Sequence, residues 1–64
     1  MRRIKITLKA ARVNAGLTQE QVKEKTGISR STLVGWESGK TRPRLDKLIE
    51  VCNLYGVQLT EIKI

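Results

Sequence analysis

The sequence contains no histidine, a single cysteine and no apolar run long enough to cross a membrane. A lone cysteine, Cys52, cannot form a disulfide within the chain, and without histidine no residue set suits a zinc ion. A spanning helix needs about 20 consecutive apolar residues, and no segment resembles a signal peptide. We therefore expect a cytoplasmic protein with no cofactor, no metal and no membrane association.

Aromatic residues are also scarce, since Trp36 and Tyr55 are the only two. Proteins that stack bases need several exposed rings on one surface, so we interpret both as packing residues. Cys52 lies among apolar residues and is interpreted as a small buried hydrophobe, with a redox sensor as the alternative. No nucleophile, base or carboxylate pair has the spacing of a catalytic site, and we do not expect an enzyme.

Acidic residues are outnumbered by basic ones. The chain of 64 residues, expected to form one domain, has 13 Lys and Arg against six Asp and Glu, a formal charge of +7. Two groups of basic residues contain no acid: Arg2, Arg3, Lys5, Lys9 and Arg12, and then Lys40, Arg42 and Arg44. This distribution favours a polyanionic partner, although solubility alone also accounts for a basic excess.

Glycines divide the chain into short helical segments. A first helix is predicted over residues 7–15, with Leu8 and Ala11 on one face and Gly16 at its left-handed end. A later amphipathic helix, ended by Gly56, is predicted to be the main core helix because its apolar residues follow helical spacing: Leu45, Leu48, Ile49, Cys52 and Leu54.

Two helices in the middle of the chain have clear start signals. Thr18 is a good N-cap, and Gln21 completes a capping box, so the second helix is predicted over about 18–26. Ser29 repeats the signal for a third helix over about 29–38, which Gly39 ends. Because only three or four residues separate these helices, they must meet at a steep angle, which is the geometry of a helix-turn-helix.

The two ends of the chain are ambiguous. Leu59 and Ile62 fit a helical turn, whereas Ile62 and Ile64 fit the edge of a strand. The N-terminal RRIKI alternates in the same way. We expect the termini to pair as a small two-stranded sheet.

The segments GLTQEQV and TGISRSTLVGWESGKTRP resemble the repressor and Cro family of phage regulators and its small bacterial relatives. The resemblance extends from residue 8 to about residue 59. It implies an all-α fold, a compact bundle of four to five short helices whose third helix enters the major groove of DNA. It further implies a sequence-specific transcriptional regulator, and in its most specific form a phage or prophage repressor. Such a protein would bind a pseudo-palindromic operator in double-stranded DNA as a homodimer.

The resemblance also implies roles for single positions. Arg30 and Ser31 lie in the first exposed turn of the third helix, which faces base edges in relatives, and Arg30 can bond guanine through O6 and N7. A phosphate contact alone is the alternative for Arg30. Phosphate contacts are expected from Gln19, Ser29, Thr32, Lys40, Arg42 and Arg44. The alternatives are a solvent-exposed Gln19 and a solvated basic loop.

Three further positions carry specific expectations. Arg12 and Glu37 match a partly buried ion pair of relatives, with two independent surface charges as the alternative. Gly35 departs from the family, because relatives often have a base-reading side chain there. We still expect Gly35 to contact DNA at the bases, with its backbone close to a thymine methyl or a phosphate. The alternative is that the position is permissive and glycine has no role in binding. Arg44 stands where relatives usually have a capping serine.

Two other functions compete with the DNA-binding regulator. An antitoxin of the same fold binds a toxin as well as its own operator, and therefore needs an exposed surface for the toxin. A module used purely for protein contacts would not need the basic excess. Since the chain stops soon after a fifth helix should begin, we expect weak dimerisation in the absence of DNA.

Overall fold

Four α-helices follow one another in the computed structural model, which describes residues 5–63. They are α1 (Leu8–Asn14), α2 (Gln19–Thr26), α3 (Arg30–Ser38) and α4 (Leu45–Tyr55), and a 3₁₀ turn follows at Leu59–Glu61. The predicted all-α bundle is confirmed. Thr18 and Ser29 are the N-caps, as predicted, so α2 and α3 begin at the next residue, within the approximate ranges 18–26 and 29–38.

Side-chain caps set three of the four helix starts. The Thr7 hydroxyl accepts a hydrogen bond from the Ala10 N–H at 3.1 Å. The Thr18 hydroxyl accepts from the Gln21 N–H at 3.1 Å, and the Gln21 side chain accepts from the Thr18 N–H at 2.9 Å, which completes the predicted capping box. Ser29 caps α3 in the same way. The start of each of these helices is therefore encoded locally.

The core lies where α1 and α2 each pack against both α3 and α4. Leu33 of α3, Val22 of α2 and Val51 of α4 are its largest fully buried side chains. Leu8 and Ala11 of α1 are buried on the same side of that helix, as their spacing predicted. Each helix thus contributes one apolar face to a single cluster.

The buried face of α4 differs from the predicted one. It consists of Leu48, Val51, Cys52 and Tyr55. Leu45 and Ile49 are 63% and 43% exposed, so their assignment to the core was wrong. The residues at positions 48, 51, 52 and 55 form the i, i+3, i+4, i+7 stripe that the other helices cover, and Leu45 and Ile49 lie outside it.

The chain ends meet through one parallel bridge between Ile6 and Ile62. The Ile6 N–H donates to the Glu61 carbonyl at 2.8 Å, and the Lys63 N–H donates to the Ile6 carbonyl at 2.8 Å. Within residues 5–63 the expected two-stranded sheet is reduced to this bridge, which the 3₁₀ turn precedes. The remainder of the expected pairing, residues 2–4 and Ile64, falls outside the described residues. None of the helices over residues 5–63 is long and apolar enough to cross a membrane.

Candidate nucleic-acid interface

The turn between α2 and α3 is fixed by its backbone and by one buried side chain. Gly27 has a φ of 78°, and its N–H donates to the Lys23 carbonyl at 2.8 Å, which ends α2 with a left-handed residue. Ile28 is buried in the core, and its N–H donates to the Thr26 hydroxyl at 3.2 Å. The orientation of α3 relative to α2 is therefore set by packing and by hydrogen bonds together.

α3 has one face in the core and one face in solvent. Leu33 is fully buried, and Trp36 is half-buried against the core. The opposite face exposes Arg30, Ser31 and Val34. An α-helix with its side chains is about 10–12 Å across, and the major groove of B-DNA is about 12 Å wide. A helix with an exposed face, such as α3, therefore fits into the major groove.

The N-cap and the first turn of α3 contain four of the side chains expected at DNA. The Ser29 hydroxyl accepts from the Thr32 N–H at 3.3 Å and donates to the Thr32 hydroxyl at 2.8 Å, so these two residues are bonded to each other. The hydroxyls of Ser29 and Ser31 lie 3.4 Å apart. The guanidinium of Arg30 is exposed, and its Nε lies 3.4 Å from Oε1 of Gln19. These polar groups are all accessible from the solvent side of α3.

Arg12 and Glu37 form a bidentate ion pair beneath this surface. Arg12 Nε lies 2.7 Å from Glu37 Oε2, and its Nη2 donates to Oε1 at 3.3 Å. The Nη1 of Arg12 donates to the Leu17 carbonyl at 2.7 Å. The side chains are only 10% and 5% exposed, so they are not separate surface charges. Arg12 thus connects α1 and Leu17, which lies just before α2, to the last turn of α3.

Gln19 extends this network toward Arg30. Its Nε2 donates to Glu37 Oε1 at 3.0 Å, while its Oε1 accepts from Arg30 Nε at 3.4 Å. The sequence indicated a phosphate contact for Gln19 but not these bonds, because they join residues 11 and 18 positions apart. The amide of Gln19 thus connects the buried ion pair to the exposed guanidinium.

The basic loop after α3 is bonded to the end of that helix. Gly39 has a φ of 81°, and its N–H donates to the Trp36 carbonyl at 3.3 Å. The Lys40 N–H donates to the Gly35 carbonyl at 2.9 Å, which makes a Schellman motif. Lys40 and Arg42 are exposed. The hydrogen bond to Gly35 therefore fixes the backbone of Lys40 relative to the end of α3.

Arg44 occupies the N-cap of α4 without making a side-chain cap. Its side chain is 86% exposed, and its Nε lies 3.6 Å from a carboxylate oxygen of Asp46, itself 66% exposed. An exposed pair of this kind contributes little to stability. Arg44 can therefore leave Asp46 at small cost and bind a phosphate.

Gly35 is constrained from within the protein. A Cβ built on Gly35 would lie 2.8 Å from the hydroxyl oxygen of Thr41. The Thr41 N–H also donates to the Gly35 carbonyl at 3.2 Å. The missing side chain thus gives room to the basic loop where it returns over α3, a reason that the sequence did not indicate. Gly35 also borders a surface groove with Arg30, Ser31 and Lys40, so its backbone is accessible.

The charges around α3 are positive and mostly uncompensated. Lys9, Arg30, Lys40 and Arg42 have no carboxylate within 4.0 Å in the described part of the chain. Lys9 and Arg30 line a groove that also contains Gln19, Val34 and the exposed carboxylate of Glu20. Two basic residues differ: Glu37 neutralises Arg12, and Asp46 lies 3.6 Å from Arg44. The surface therefore presents free cations on both sides of an exposed helix, as phosphate binding requires.

Two titratable groups lie below this surface. Burial raises the pKa of Tyr55 to about 12, and the nearby carboxylate of Glu37 adds to the rise. Burial also raises the pKa of the Cys52 thiol, with a smaller contribution from Glu61. Since the thiolate is the reactive form of cysteine, the buried Cys52 is poorly suited to redox sensing.

Known proteins similar to this chain are regulators of transcription. A family model described as helix-turn-helix matches residues 8–62. An uncharacterised helix-turn-helix transcriptional regulator of Methanocaldococcus jannaschii is 36% identical over 92% of this chain and 89% of its own length. The uncharacterised regulator YobD of Bacillus subtilis is 44% identical over 72% of this chain and 41% of its own length.

A phage protein is also similar to the chain. The transcriptional repressor RstR of the cryptic phage CTXphi, from Vibrio cholerae, is 31% identical over 80% of this chain and 46% of its own length. No solved structure matches the chain. The matched residues 8–62 include all four helices, the tight turn between α2 and α3 and the basic loop. The chain therefore belongs to the helix-turn-helix family of DNA-binding transcriptional regulators, of the phage repressor and Cro type.

Proposed function

We propose that this protein is a sequence-specific transcriptional repressor that binds double-stranded DNA by placing α3 in the major groove. One observation carries the proposal: the exposed face of α3 begins with Arg30 and Ser31 and is flanked by cations without carboxylate partners. A helix with polar side chains at its tip and cations at its sides matches the two requirements of base readout and phosphate binding.

Base readout belongs to the first turn of α3. Arg30 bonds the O6 and N7 atoms of a guanine, and Ser31 bonds an adjacent base edge. The backbone of Gly35, one turn further along, borders the same groove as Arg30 and Ser31 and lies close to the bases there. With no side chain at this position, Arg30 contributes a larger share of the specificity, together with the shape of the DNA.

Phosphate binding belongs to the residues around that turn. Gln19 lies at the start of α2, where unpaired backbone N–H groups and the helix dipole also favour an anion. Ser29 and Thr32 bind a second phosphate beside the first turn of α3. Lys40, Arg42 and Arg44 bind the backbone on the far side of the groove. These contacts position the protein and raise its affinity for any sequence.

The protein acts as a homodimer on a pseudo-palindromic operator. Two α3 helices related by a two-fold axis reach successive major grooves when the half-sites are about one helical turn, or 34–36 Å, apart. Repression follows when the bound dimer occupies the promoter.

Selection from a random DNA library tests the proposal. The full chain is expected to enrich duplexes with two inverted half-sites whose centres are about 10 base pairs apart. Affinity for the enriched duplex should fall at least about tenfold between 50 and 200 mM salt, while the preference over random DNA persists. If no sequence is enriched after several rounds, the protein is not a sequence-specific regulator.

A further inference from the structure

Val34 is an apolar side chain in the middle of the proposed DNA-binding face. It is 42% exposed and follows Arg30 by four positions and Ser31 by three, the spacings that bring side chains onto one helix face. It borders the groove that contains Lys9 and Gln19 as well as the neighbouring groove that contains Gly35 and Lys40. Its methyl groups are therefore surrounded by polar and basic groups.

The protein's own stability does not explain a valine here. Leu33 fills the core position of this turn and is fully buried, whereas Val34 does not belong to the apolar cluster of the core. A β-branched side chain is also a poorer helix former than alanine, because it loses rotamer freedom against the preceding turn. A ligand that covers the two methyl groups would explain the residue.

We infer that Val34 contacts the methyl group of a thymine in each half-site, beside the base pair that Arg30 binds. This inference rests on the proposed function. The thymine methyl is the apolar group that base pairs present on the floor of the major groove. Because Val34 is exposed and borders both grooves, a base edge that enters either groove can reach its methyl groups. The face would thus read one base by hydrogen bonds and another by an apolar contact.

Replacing thymine by deoxyuridine tests the contact, because deoxyuridine lacks only the methyl group. Each thymine of the selected duplex is replaced in turn, and the dissociation constant is measured by fluorescence anisotropy. The wild-type protein is expected to lose about fourfold in affinity at one thymine in each half-site, the amount that corresponds to one buried methyl-sized group. Val34→Ala is expected to bind thymine and deoxyuridine equally at that position.

Val13→Ala is the matched control, because Val13 is a 56% exposed valine of α1 and borders none of the grooves around α3. It should keep the wild-type response to deoxyuridine. If Val34→Ala retains the fourfold loss, or if no thymine is sensitive in the wild-type protein, the inference is wrong while specific binding stands. If no duplex is selected at all, the proposed function fails and the inference fails with it.

Discussion

The Arg12–Glu37 pair shows why a charged residue inside a 64-residue protein can be tolerated. Both oxygens of the carboxylate accept bonds from Arg12, and one accepts from Gln19 as well, while the third guanidinium nitrogen reaches a backbone carbonyl. The cost of removing both charges from water is thus offset by a full set of hydrogen bonds. The pair holds α3 in place relative to α1 and specifies one packing arrangement.

Removing one partner of this pair should destabilise the protein strongly. Arg12→Met leaves Glu37 buried with only the Gln19 amide, and we expect a loss of about 3–5 kcal/mol in the free energy of unfolding. Urea unfolding followed by the fluorescence of the single tryptophan, Trp36, measures the loss. Glu20→Gln is the control, because the Glu20–Lys23 pair is 4.0 Å long and more than half exposed. It should change stability by less than about 1 kcal/mol. An Arg12→Met protein as stable as the control would contradict this account.

Tyr55 makes a second prediction, this time for alkaline pH. Its pKa is raised from about 10 to about 12, mainly by burial, so the folded state holds the proton more tightly than the unfolded state. The stability contributed by Tyr55 is fully present below pH 10 and is lost as pH rises toward 12. Because Tyr55 is the only tyrosine, its absorbance near 295 nm reports the titration directly.

The expected midpoint is about 12 in the folded protein and about 10 in urea. Tyr55→Phe should lack this part of the alkaline destabilisation. It should cost little at pH 7, because the buried hydroxyl has no hydrogen-bond partner within residues 5–63. A midpoint near 10 without denaturant would show that the ring is not buried as described.

At the scale of the elements, α3 depends on the loop that follows it. The Gly35 carbonyl accepts the N–H groups of Lys40 and Thr41, and the Thr41 hydroxyl occupies the space of the absent side chain. A glycine within a helix normally costs about 0.5–1 kcal/mol relative to alanine. Here the absent side chain leaves room for the Thr41 hydroxyl in the loop that carries Lys40 and Arg42.

This explanation predicts a coupling between the two residues. In a Thr41→Ala background the obstructing hydroxyl is gone, and Gly35→Ala should stabilise the protein by about 0.5–1 kcal/mol through helix propensity. In the wild-type background the same change must rotate the exposed Thr41 side chain, and the gain should be reduced or lost. Thermal unfolding of the four proteins in this double-mutant cycle measures the difference. Equal effects of Gly35→Ala in both backgrounds would remove the explanation.

Local signals predicted the elements well, and long-range contacts account for what was missed. The capping box of Thr18 and Gln21 spans three residues, so the start of α2 is determined by its own sequence. Which face of α4 is covered depends on the other helices, and Leu45 and Ile49 were therefore misplaced. The contact of Gly35 with Thr41 requires the path of the loop, which no local pattern contains.

At the scale of the whole molecule, one face of α3 packs in the core and the other is the proposed DNA-binding face. Leu33 fixes α3 in the core, while Arg30, Ser31 and Val34 face solvent. The excess of positive charge, +7 for the chain, was evident from composition. Its arrangement was not, because Arg12 belongs to a basic stretch in the sequence but is neutralised in the structure. The DNA contacts expected of single residues came from the resemblance to phage regulators. The structure adds the exposure of each of these residues and the groups that it bonds.

The central claim is that Arg30 reads a base while Lys40 binds the DNA backbone, and these roles differ in what a mutation does to specificity. The dissociation constants of wild-type, Arg30→Ala and Lys40→Ala proteins for the selected duplex and for a scrambled duplex test it directly. Lys47→Ala is the charge-matched control, since Lys47 lies on α4 and pairs with Glu50 at 3.7 Å.

We predict that Arg30→Ala weakens binding to the selected duplex by about 1–3 kcal/mol for each half-site and binding to the scrambled duplex far less. Lys40→Ala should weaken both by a similar factor and reduce the salt dependence by about one counterion for each protomer. Lys47→Ala should change neither binding constant appreciably. If Arg30→Ala leaves the ratio of the two dissociation constants unchanged, α3 does not read DNA through Arg30 and the account is contradicted.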